Sequence, residues 1–119
     1  MSTKDAAEIV SWEVHPGCQL KVLASGDKIT LTYERVEPGV EIPDHKHPNE
    51  QIGYCLEGEA TFKIGRERFL VKKGYSYTIP SNVMHSFKVT GKQEFVTVDA
   101  FSPTRPDLLR GEFAPEKQD

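Results

Sequence analysis

Turn-forming residues punctuate this chain at nearly even intervals, and that spacing limits what it can fold into. Ser25-Gly26-Asp27-Lys28, Glu37-Pro38-Gly39, Glu57-Gly58-Glu59, Gly65-Arg66-Glu67, Lys72-Lys73-Gly74, Pro80-Ser81-Asn82 and Thr90-Gly91-Lys92 all read as turns. They recur about every 8–12 residues, and no long helical period interrupts them. Leu20, Val22 and Ala24 alternate with Lys21 and Leu23, and Ile29, Leu31, Tyr33 and Arg35 alternate with Thr30, Thr32 and Glu34. Cys18–Ser25 and Lys28–Val36 therefore pair as a predicted hairpin. Further strands are expected at Gln51–Leu56, Ala60–Ile64, Arg68–Val71, Tyr75–Ile79, His85–Val89 and Glu94–Phe101. About nine short strands at this spacing specify an all-β sandwich or barrel. The apolar segment Ile9-Val10-Ser11-Trp12 is expected to form an N-terminal strand, or an arm that packs on a neighbouring subunit. Asp107–Arg110 reads as one helical turn and Ala114–Asp119 as a disordered end.

The chain's 119 residues suit one domain, residues 1–119, with a core over about 15–105 and partly flexible termini. A formal net charge of −3 gives no electrostatic reason to expect nucleic acid as a partner. No apolar run approaches the ~18 residues of a membrane span, and Met1–Glu8 lack the apolar core of a secretory signal, so a cytoplasmic protein is expected. Cys18 and Cys55 form no Cys-x-x-Cys pair, and no disulfide is expected. Cys55 reads as a small buried hydrophobe, with a soft thiolate near a metal as the sharper alternative.

Three of the four histidines carry the functional reading. In an extended strand, residues an even number apart share a face. His45, His47 and Gln51 are so related, while Lys46 and Glu50 fall on the other face. Two imidazoles and an amide oxygen on one face make most of a coordination sphere for a divalent metal, and His85 is the candidate to complete it from another strand. His15 precedes Pro16-Gly17 and reads as an ordinary surface residue.

These residues sit in two motifs that resemble those of the cupin superfamily. The first runs Gly, five residues, His-x-His, three or four residues, Glu, six residues, Gly; Gly39, His45, His47 and Gly58 fit it, and Gln51 stands where the family usually has Glu. The second is matched by Gly74, Pro80 and His85, with Asn82 replacing its glycine and Val89 its final Asn. Asn tolerates positive φ, so the turn at Asn82 survives the replacement. The resemblance implies a double-stranded β-helix (jelly-roll) barrel holding zinc, nickel, manganese or iron. With Gln51 in place of a carboxylate, three imidazoles and an amide leave the metal charge undiminished and its Lewis acidity high.

The final strand adds a second constellation. Phe95, Thr97, Asp99 and Phe101 share one face, and a carboxylate amid apolar neighbours needs a partner or a use. Beyond the Ser102-Pro103 kink, Arg105 can fold back over a barrel mouth. Together with the histidine motif, Asp-x-Phe-Ser-Pro-x-Arg-x-Asp-Leu is similar to the small pectin-degradation cupins that linearise 4,5-unsaturated uronates. That resemblance implies metal on His45, His47, Gln51 and His85, catalysis by Asp99 and Arg105, and substrate contact by Phe101 and Arg105. The alternative for Asp99 and Arg105 is a structural ion pair closing the barrel end. An iron or manganese dioxygenase and a non-catalytic small-molecule binding module are the competing functions. Small cupins are often dimers, so a homodimer acting on a small molecule is expected.

Overall fold

The computed structural model describes residues 2–109. Ten strands follow a short 3-10 turn at Ala6–Glu8: β1 Trp12–His15, β2 Cys18–Ser25, β3 Thr30–Val36, β4 Glu41–His45, β5 Glu50–Glu57, β6 Glu59–Ile64, β7 Glu67–Lys72, β8 Ser76–Ile79, β9 His85–Val89 and β10 Phe95–Ser102. One helical turn, α1 Pro106–Leu109, closes the described chain. The strands form a six-stranded antiparallel sheet, β1-β2-β3-β10-β5-β8, facing a four-stranded one, β4-β9-β6-β7. This is the jelly-roll arrangement that the resemblance implied, and it fulfils the all-β sandwich or barrel that the turn spacing specified. The β2–β3 hairpin forms as expected, with Cys18 opposite Val36 and Ser25 opposite Thr30. The expected disordered end, Ala114–Asp119, lies outside the described residues.

Alternation sets which side chains enter the barrel. On β2, Cys18, Leu20 and Val22 are buried, and on β10 Phe95, Thr97, Asp99 and Phe101 are buried together. Phe62, Phe87, Phe95 and Tyr77 plug the interior, with Phe62 stacked on Phe87 at 4.9 Å and tilted on Tyr77 at 4.6 Å. Gly53 is required here, because a β-carbon on it would overlap the Tyr77 ring. Asn82 does adopt positive φ, at 62°.

Two expectations change. The first concerns His45, His47 and Gln51, which do not lie along one strand. β4 ends at His45 and belongs to the four-stranded sheet, whereas β5 starts at Glu50 in the other, so residues 46–49 cross between sheets. His45 at the end of β4, His47 in the crossing loop and Gln51 on β5 converge by the bend of the chain rather than by strand parity. The second concerns the N-terminal segment, where the expected strand forms but begins only at Trp12, beyond Ile9, Val10 and Ser11. Trp12 opens β1 and packs with Val14 against Leu20, Val22, Phe101 and Leu108 of its own chain, although Val10 is 71% exposed. Among the described residues no helix is long and apolar enough to cross a membrane.

Candidate metal centre

His45 ends β4 and stands directly opposite His85, the first residue of β9, in the sheet register. His47 reaches the same point from the crossing loop. One ring nitrogen from each lies within 4.8 Å of the others. The three rings have centroids 4.2, 5.0 and 6.0 Å apart. His85 is buried, His47 half-buried and His45 exposed, so the cluster opens to solvent on the His45 side.

The hydrogen bonds fix which nitrogens are free. Nδ1 of His45 faces the Pro43 carbonyl at 2.8 Å, Nδ1 of His47 the Asn49 carbonyl at 3.0 Å, and Nδ1 of His85 the Val83 carbonyl at 2.8 Å. A carbonyl can only accept, so each Nδ1 carries the proton and each Nε2 keeps its lone pair. Burial lowers the His47 pKa and drives that of His85 to about 4, which keeps both rings neutral near pH 7. The Nε2 of His85 is buried and has no hydrogen-bond partner among the described residues. That of His47 faces the Gln51 Oε1 at 3.1 Å. The amide cannot be reversed, because its Nε2 donates to Asp99 Oδ2 at 2.8 Å. Two acceptors therefore face each other, and a third lone pair nearby is orphaned. Such an arrangement is repulsive unless a cation lies among them, so the donor set fits a divalent transition metal. The tautomers, each held by a carbonyl, are those that metal-bound imidazoles adopt.

Gln51 joins this cluster to the buried carboxylate of β10. Asp99 Oδ2 accepts from Gln51 and from the Tyr77 hydroxyl at 2.7 Å, and Oδ1 accepts from Thr97 Oγ1 at 2.7 Å. Burial raises the Asp99 pKa more than these three donors lower it, and it raises that of Tyr77 far above its usual range. The ion pair between Asp99 and Arg105 considered from the sequence is not formed. Arg105 instead grips Asp107 with two parallel bonds, Nε to Oδ1 at 3.1 Å and Nη2 to Oδ2 at 2.9 Å. Its guanidinium stacks 4.9 Å from the Phe101 ring centre, and Phe101 in turn meets His47 edge-on at 5.6 Å.

All seven residues expected at the site thus border one cavity of about 400 Å³. Several of its residues were not anticipated. Tyr77 holds Asp99; Glu34 and Cys18 form a further wall; His15 is half-buried on the rim rather than on the open surface. Strand parity already placed Glu34 on the face of Thr30 and Thr32, and that was the available signal. Asn49, 4% exposed, ties the histidine loop to the Arg105 segment through Nδ2 bonds to the Pro103 and Thr104 carbonyls. Cys55 is fully buried in the aromatic core, away from the cavity, so the small-hydrophobe reading holds and the thiolate reading falls.

Known proteins carry the same architecture. The solved structure of KdgF from a Halomonas species superposes with a TM-score of 0.84 at 25% identity, covering 91% of this chain and 98% of that one. A predicted oxalate decarboxylase of Thermotoga maritima has a TM-score of 0.76 at 20% identity, covering 87% of this chain and 100% of its own, which shows the fold alone. Among curated sequences, the HTH-type transcriptional regulator PuuR of Escherichia coli is 29% identical over 92 residues, 74% of this chain. The chain spans about half of that regulator, 50% of its length. An uncharacterised protein of Methanocaldococcus jannaschii is 33% identical over 90 residues, 75% of this chain and 67% of its own. Residues 32–101, more than half of the chain and all three clustered histidines with them, match the cupin domain, and the chain belongs to the cupin family.

Proposed function

We propose that this protein is a metal-dependent, non-redox isomerase that opens 4,5-unsaturated uronate rings to their linear keto forms. The observation that carries the reading is the line of side chains from the His47 Nε2 lone pair, which faces the Gln51 Oε1, through the Gln51 Nε2 that donates to Asp99, flanked by Phe101 and Arg105. The likeness to KdgF over nearly the whole chain supports it. His45, His47, His85 and Gln51 would hold the metal, which supplies Lewis acidity toward sugar oxygens. Arg105 binds the substrate carboxylate through its planar fork, using donors not given to Asp107 or displacing it. Phe101 packs on the ring. Asp99, made more basic by burial, takes the proton of the anomeric hydroxyl. As the carbonyl forms, the bond from the anomeric carbon to the ring oxygen breaks, and its electron pair leaves on that oxygen as an enolate. Return of the proton to carbon 4 gives the ketone, so atoms and electrons balance without a co-substrate.

The test is metal content and turnover measured together. Native protein should hold about one divalent metal per chain and abolish the ultraviolet absorbance of the conjugated double bond. A His45→Ala/His47→Ala variant should do neither. Metal-loaded native protein that leaves the absorbance unchanged, or that consumes oxygen with the substrate, refutes the isomerase. A non-catalytic binding module is the second reading, favoured by the match to half of a transcriptional regulator; tight uronate binding without turnover would establish it. The protein is further proposed to be a homodimer in the cytoplasm, and light scattering checks the first of these.

A further inference from the structure

The inward face of β3 reads Thr30, Thr32, Glu34, Val36, and the other three residues are at most 1% exposed. Glu34 alone on that face is half-buried, because it borders the cavity. Among the described residues its hydrogen-bond partner is the Cys18 thiol, at a long 3.8 Å. No Lys, Arg or His nitrogen among those residues lies within ion-pair distance. A carboxyl so enclosed and so weakly paired is a burden to a fold unless something else satisfies it.

The sheet register locates it. Phe101 pairs with Gln51, Asp99 with Thr32, and Thr97 with Glu34, so these rows descend the same wall. Each same-face step is about 7 Å. Glu34 therefore lies one step beyond Asp99, on the side remote from Phe101 and Gln51. A ring-sized molecule held by Arg105 and reacting at Asp99 would present its far edge to Glu34.

We propose that Glu34 is a substrate-contacting residue: it hydrogen bonds a ligand hydroxyl remote from the carboxylate and makes the cavity selective for polyhydroxylated acids over plain acids of equal length. This deepens the uronate reading and rests on its assignment of Arg105 to the carboxylate. Burial first, and the Asp99 carboxylate second, push Glu34 up to about 8. Near neutral pH it carries a proton and can both donate to and accept from a hydroxyl.

The experiment compares galacturonate with adipate, a six-carbon diacid without hydroxyls, by thermal shift and calorimetry on metal-loaded native protein, Glu34→Gln and Glu34→Leu. Linearisation of unsaturated galacturonate is followed in parallel. Native protein should prefer galacturonate. Glu34→Leu should lose that preference, with galacturonate binding weakened by on the order of tenfold or more, and Glu34→Gln should keep part of it. Both variants should be at least as thermostable as native protein without ligand, since an underpaired carboxyl is removed. The proposal is overturned if native protein shows no preference, if Glu34→Leu retains it, or if Glu34→Leu melts earlier unliganded, which marks a structural carboxyl. A Glu34-dependent preference with no linearisation sinks the proposed reaction and upholds Glu34. Linearisation by Glu34→Leu with native KM and kcat does the reverse.

Discussion

Replacing Gln51 by glutamate would install the residue type that the cupin motif ordinarily carries, yet here it should damage the protein. Gln51 Nε2 donates to Asp99 Oδ2 at 2.8 Å. A glutamate offers an oxygen in place of that donor. The lost charge-assisted bond is worth about 1.5–3 kcal/mol. Two ionised carboxylates about 3 Å apart would repel by ~5 kcal/mol even at an effective dielectric of 20, so the pair would retain one proton and limit the loss. The expected result is a metal-free protein less stable by about 2–4 kcal/mol. Adding Asp99→Asn to the same chain reinstates one donor facing one acceptor. The double variant should recover at least ~1.5 kcal/mol, a coupling that independent sites do not show. Urea unfolding of chelator-treated protein measures both, with the midpoint shifting at constant slope. If Gln51→Glu leaves the midpoint unchanged, or if the two single losses simply add, the network argument is wrong. The recoupled variant would also present a carboxylate to the metal, lowering its Lewis acidity.

Two further outcomes follow from the cavity and its wall. Gly53→Ala should displace the Tyr77 ring from Asp99 and cost about 2–4 kcal/mol, whereas Gly26→Ala, with nothing within 4 Å, should change little; equal urea midpoints for the two would refute the crowding argument. Glu34 binds its proton more tightly folded, at about 8, than unfolded, near 4.5. The folded state thus holds the extra proton between those values; below about pH 6.5 the depressed His47 and His85 act in the opposite sense, so stability should fall as pH rises from about 6.5 to 8, by up to about 1.4 kcal/mol per pH unit. The groups acting on it are Asp99, Cys18 and Arg105, and Glu34→Gln should flatten the profile above about pH 6.5; a native profile already flat from about pH 6.5 to 8 would contradict the assignment.

Much of this was legible in the sequence because it depends on local rules. Turn residues at Ser25–Lys28 or Gly65–Glu67 act within a few positions, and period-2 alternation gave the inward face of β10 correctly. The histidine cluster was legible as residue types but not as geometry. Parity along an unbroken strand joined His45, His47 and Gln51, whereas the chain bends between sheets at 46–49. What escaped were the partners that only long-range pairing creates. Tyr77 meets Asp99 across 22 positions, Gln51 across 48, and Thr30 Oγ1 accepts from the Arg105 amide across 75. No local pattern encodes such encounters, so an ion pair with Arg105, the nearest opposite charge in sequence, stood as one of two readings of Asp99.

Each clustered imidazole leans on a main-chain carbonyl only two positions away: Pro43 for His45, Asn49 for His47 and Val83 for His85. A carbonyl is present whatever side chain occupies its position, so these three orientations are largely insulated from mutational drift. The walls supplied by Glu34, Tyr77, Phe101 and Arg105 have no such protection, and each can be exchanged without re-aiming the histidines. Descent can therefore reshape what the cavity accepts while the cluster is inherited intact. That division of labour is one physical route by which a single small barrel diversifies among many chemistries.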